Sequence, residues 1–229
     1  MISVKLPFSD EDRSEYKALL LEKFPNATLD ATNAQINALI DSRTVLANAI
    51  YHLSMYYVIG YESVISQLKQ EKSRFWLYTL ESLYDSGVMF LCGLFDEDKK
   101  LSYKNIRTIE KCYPMLKNKD IKLVPLPKFT EQIYKRLKCL RDKRLAHYEY
   151  SAKIKSQYYD DPAKLCNITY KYLQMNERII FNAEIDTGSL SEIIHRNATG
   201  ICNDIGVKPI EKHELSEMLE YIDKLGLEE

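Results

Sequence analysis

Residues 135–144 carry Lys135, Arg136, Lys138, Arg141, Lys143 and Arg144, six cations within ten residues, with Asp142 among them. His147 and Tyr148 follow at once in "CLRDKRLAHYEY". Cations at that density form a local anion site. An imidazole beside them, in a ring that titrates near neutrality, is placed to move protons. The plainer reading is that of a solvated helix end. Cations near a helix C-terminus stabilise its dipole, and Arg–Asp neighbours often do no more than hydrate a surface. Composition alone leaves both readings open.

The element that must position these groups is "KFTEQIYKRLKCLRDKRLAH", residues 128–147, which reads as a helix with Thr130 near its start. Ile133, Leu137 and Leu140 define its apolar stripe. Carried on at steps of three and four, the stripe reaches Arg141 or Arg144, then Leu145, then His147 or Tyr148. A simple solvated end keeps its polar groups on the opposite face. Here the core-facing side turns cationic. Arg141 and His147 are six residues apart, which on an ideal helix is about 9 Å along the axis and some 120° around it. They meet only if the Arg side chain reaches across, or if a two-fold partner supplies the second half of a cleft.

Other chemistries have no foothold. The 229 residues contain no GxGxxG, P-loop, HExxH or GxSxG. His52, His195 and His213 read as one bundle histidine and two exposed ones, and no carboxylate–His set has metal spacing. The five cysteines (Cys92, Cys112, Cys139, Cys166, Cys202) are odd in number, widely spaced and never CxxC, as expected of reduced thiols rather than a disulfide framework or zinc site. A net charge of −1 and a pI near 6.5 exclude a globally basic nucleic-acid binder. No signal peptide is visible, and "SGVMFLCGLF" is too short to span a bilayer. The expectation is a soluble, cytoplasmic protein with no membrane partner, no metal and no cofactor.

Seven Gly and seven Pro favour long helices over a turn-rich β architecture. Ser9 with three acids behind it starts a helix that stops before Pro25. Asp30 opens a longer segment to about Lys69, which Gly60 can bend or divide, and an apolar helix follows over residues 73–95. Ser102 caps another, running to about Met115. A loop around "DDPAK" precedes a long pattern from Ile168 to about Ala198, and an acidic helix spans about 211–225. No strand hairpin or repeat stands out. The fold class is all-α, a bundle of about six or seven helices in a single domain over residues 1–229, with its motif core at about 30–200.

"RDKRLAH" resembles the Rx4-6H motif of the HEPN superfamily, and the flanking "LRDKRLAHYE" is similar to its abortive-infection U-type branch. The upstream "FWLYTLESLYDSGVMFLCGLFDEDKKLSYKNIRTIEK" is similar to that branch's apolar helix, Asp-containing turn and Ser-capped helix, so the likeness covers roughly residues 70–150. It implies a HEPN-like bundle that dimerises, with two motifs facing one composite cleft. It also implies a metal-independent endoribonuclease of single-stranded RNA, acting in phage defence or as a toxin. His147 would be general base or acid in transfer from the ribose 2′-hydroxyl. Arg141 would hold the scissile phosphate, and Asp142 would orient Arg141 or His147. Lys138, Lys143 and Arg144 would hold flanking phosphates, and Tyr148 would stack a base. An antitoxin partner belongs to the same resemblance. Where paired toxins carry a modifiable Tyr two residues past the His, this chain has Glu149. The alternatives are a non-catalytic HEPN module that binds nucleotides or a protein, and a plain helical interaction protein.

Overall fold

The computed structural model describes residues 3–4, 10–23, 29–96, 105–107, 109, 123–146, 159–181, 184–185 and 188–225. In chain order they form β1 (Ser3–Val4), α1 (Asp10–Lys23), α2 (Leu29–Gly60), α3 (Glu62–Phe95), α4 (Thr130–Leu140), a π-helical turn (Arg141–Ala146), α5 (Asp161–Phe181), β2 (Glu184–Ile185), α6 (Leu190–Asp204) and α7 (Lys212–Lys224). The architecture is helical, as the composition indicates. Its extended structure among the described residues is the parallel pairing of Ser3 with Glu184 and Val4 with Ile185.

The chain gathers into two compact units. The first is drawn from Met1–Ala47, Gly93–Pro127 and Thr169–Thr187, the second from Asn48–Cys92, Lys128–Ile168 and Gly188–Glu229. In the first, Leu39 and Leu46 of α2 are buried with Arg43 between them. The Arg43 guanidinium is fully buried with the Glu177 carboxylate, Nε donating to Oε1 at 2.6 Å and Nη2 to Oε2. The Tyr170 ring lies 5.4 Å from the guanidinium. Removing one partner of such a pair strands a buried charge, at a cost of about 3–5 kcal/mol. Asn176 adds a second polar tie, accepting from the Val124 N–H at 2.8 Å and donating to its carbonyl at 3.1 Å.

In the second unit, the later part of α3 runs back along α2. A Cβ built on Gly60 would sit 3.5 Å from Leu80, Tyr56 stacks edge-on against Tyr84, and a Cβ on Gly87 would meet Leu53, each step opposite in chain direction. α2 ends at Gly60, where the sequence indicates a bend or division. Helical backbone then continues from Glu62 to Phe95, so the expected interruption before residue 73 is not present. Within this expected central helix Phe75, Leu77 and Tyr78 are exposed at 58%, 48% and 61%, so its burial begins only near Tyr84.

Two further boundaries differ from the sequence reading. "DDPAK" opens α5 rather than forming a loop: the Lys164 N–H donates to the Asp160 carbonyl at 2.9 Å, closing a first helical turn around Pro162. Proline fits there because its missing N–H would have no intrahelical acceptor. The pattern from Ile168 to Ala198 is two helices. Gly188, at φ 71°, turns the chain, and Ser189 restarts it with a capping box. Its hydroxyl accepts from the Glu192 N–H at 3.3 Å while its own N–H donates to Glu192 Oε2 at 2.6 Å. The Ser102 helix falls mainly outside the described residues.

α7 follows the expected acidic helix closely. Asn167 donates to the carbonyls of Ile222 at 2.7 Å and Leu225 at 3.0 Å, satisfying acceptors that a helix end leaves open. Met218 and Ile222 turn inward.

Candidate functional site

α4 is amphipathic, burying Thr130, Ile133, Tyr134 and Leu137 in the second unit. Its buried side includes Ile133 and Leu137 of the stripe read from the sequence, while Leu140 is half-buried. Where that stripe turns cationic, the backbone leaves α-geometry for the π turn Arg141–Ala146. Such turns carry i to i+5 hydrogen bonds, are rare, and are frequent at functional sites.

At the first residue of the turn, the Arg141 side chain is 18% exposed. Its Nε and Nη2 donate to the same Asp142 oxygen at 2.9 and 2.8 Å. Neighbours in sequence do not normally face one another on a helix, so the arginine curls back over its own turn to make this contact. The structure therefore brings Arg141 and Asp142 together. Lys138 lies one turn earlier, with its Nζ 5.9 Å from the Tyr134 ring centroid, and Lys143 is exposed. The Arg144 side chain lies outside the described residues, and so do His147 and Tyr148 entirely.

Two of the six cations are tied to other carboxylates. Arg136 forks onto Asp161 at the start of α5, at 2.6 and 2.9 Å, with the acid almost fully buried. That pair fastens α4 to α5. Lys135 lies 3.9 Å from Glu131 on the exposed side. Of the others, Lys138 lies near the Tyr134 ring and Arg141 is paired with Asp142.

The remaining histidines fall where the sequence places them. His195 and His213 are exposed, and His52 hydrogen-bonds the Asn48 carbonyl at 2.8 Å beside the Phe90 ring. Burial pushes the Cys166 and Cys202 thiols up, which suppresses the reactive thiolate. Among the described residues no three His, Cys, Asp or Glu side chains come together as a metal site.

Two arrangements escaped the sequence reading. The Arg43–Glu177 pair had a signal, a charge at a core position of the α2 stripe, but its partner lies 134 residues away. The second is a cleft of about 440 Å³ lined by Tyr56, Tyr57, Gly60, Tyr61, Glu217, Met218 and Tyr221. Its signal was "YYVIGY" at the end of α2.

Searches of protein-family models, curated proteins and solved structures returned no match to the chain.

Proposed function

We propose that the chain is a HEPN-type endoribonuclease that cleaves single-stranded RNA without a metal, in phage defence or as a toxin. The observation that carries this reading is Arg141 held by Asp142 on a π turn, at the point where a core-facing stripe becomes cationic. A guanidinium so placed is oriented before substrate arrives, and preorganised charge is what phosphoryl chemistry needs most. The 2′-hydroxyl is an internal nucleophile, so positioning, proton transfer and charge stabilisation suffice. His147 supplies the proton transfer in this account, Arg141 holds the phosphate, and Lys138, Lys143, Arg144 and Tyr148 hold the strand.

A composite site in a homodimer completes the reading. The exposed Phe75, Leu77 and Tyr78 on α3 offer apolar surface of the kind a partner covers. The non-catalytic module is the second reading: it uses the same basic segment to bind a nucleotide or a protein partner and does not need His147. No helix among the described residues is long and apolar enough to cross a membrane.

Purified protein incubated with single-stranded RNA in EDTA is expected to cleave it, leave DNA intact, and lose the activity on His147→Ala. Cleavage that requires added metal, or that survives His147→Ala, contradicts the proposal. Binding without cleavage, abolished by Arg144→Glu, supports the second reading.

A further inference from the structure

The tyrosine cleft of the second unit has no part in the RNA-cleavage account. Its volume of about 440 Å³ lies within the range of small-molecule sites. Tyr56 and Tyr57 stand 5.3 Å apart with their planes at 75°, a near-right-angled corner of two rings. Tyr61, Met218 and Tyr221 extend the apolar lining. Aromatic faces carry negative potential, so a compact cation in such a corner is attracted by more than one ring.

The charged side chains that act on the cleft tyrosines, among the described residues, are acidic. Among the described residues Glu217 is its one lining carboxylate, and no Lys or Arg lines it. Asp160 accepts the Tyr221 hydroxyl at 2.6 Å. Glu214, Glu217 and Glu62 all act against ionisation of Tyr61, after burial, and Asp160 acts on Tyr56 and Tyr57 as well. The phenols are therefore neutral hosts in a negative field. A phosphate-bearing nucleotide is repelled by that field. A bare metal ion finds one carboxylate and apolar rings, a poor exchange for its water. A weakly hydrated organic cation satisfies both the rings and the acid.

We propose that this cleft binds a small alkylated ammonium compound, its charge against the Tyr56–Tyr57 corner and Glu217. Isothermal titration of the full chain with choline and with benzyltrimethylammonium tests it, beside 3,3-dimethylbutan-1-ol, the uncharged isostere of choline, and uridine monophosphate. Choline is expected to bind saturably, about tenfold or more tighter than its isostere, and to shift the ring resonances of the cleft tyrosines. Glu217→Gln, at an exposed position that leaves the fold intact, is expected to weaken it several-fold. Tyr57→Leu is expected to abolish binding. Equal binding of the isostere, tighter binding of uridine monophosphate at the same resonances, or no binding of either ammonium compound overturns the proposal. None of these outcomes depends on RNA cleavage.

Discussion

Arg141 shares one oxygen of Asp142 between two guanidinium nitrogens, a contact that fixes the plane of the fork as well as its charge. An ammonium has the charge without the plane. Arg141→Lys is therefore expected to keep RNA affinity within a few-fold and to lower the cleavage rate by about 10²-fold, the scale of losing one preorganised donor. Single-turnover rates and filter binding separate the two effects. A second residue-level prediction concerns Tyr221. Its hydrogen bond to Asp160, with burial and the Asp160 charge behind it, raises its pKa from 10.0 to about 12. The neutral phenol is the favoured form in the fold. Its contribution to stability is thus full below pH 10.0 and is lost as the pH rises toward about 12. In Asp160→Ala the titration midpoint of the Tyr221 ring-carbon resonance should fall from about 12 toward the ordinary tyrosine range, with burial alone left to raise it, and the pH dependence should shrink accordingly. An unchanged midpoint would show that Asp160 does not set it.

At the scale of elements, the antiparallel contact of α2 and the later part of α3 depends on Gly87. A Cβ there would sit 2.8 Å from both Cγ and Cδ2 of the fully buried Leu53. Replacing a helical Gly by Ala gains about 1 kcal/mol of propensity, while overpacking a core costs about 1–3 kcal/mol. Two atoms below 3 Å, one of them the branch carbon, put the balance on the side of loss. Gly87→Ala should lower the thermal midpoint and Gly200→Ala, with nothing within 4 Å, should raise it. The reverse order in paired melting curves would refute the packing argument. The Gly60 break, the Thr130 start and the acidic C-terminal helix were legible because each has a local signal. The division at Gly188 and Ser189 also had one, Ser189 with Glu192 three residues on, but apolar periodicity ran across it and masked the cap. "DDPAK" suggests a loop in sequence, yet Pro162 stands in the first turn of α5.

For the whole molecule, the pairings that join distant segments were not legible. Arg43 meets Glu177, Asn167 meets the end of α7, and the tyrosines of α2 meet Tyr221 and Glu217, all across more than fifty residues. Periodicity gives each helix a face but does not name the face opposite. The basic segment was legible because its chemistry is contiguous in sequence. What was not visible there is how its charge divides, with Arg136 serving the fold through Asp161 while Arg141 stays with Asp142. Attack by the ribose 2′-hydroxyl would leave its record directly in the ends of the cleaved RNA. Mass spectrometry of the fragments should show 2′,3′-cyclic phosphate or the phosphate derived from it, and no cutting at a 2′-deoxy position. Fragments ending in a 3′-hydroxyl, or cutting that continues through 2′-deoxy sites, would contradict the account.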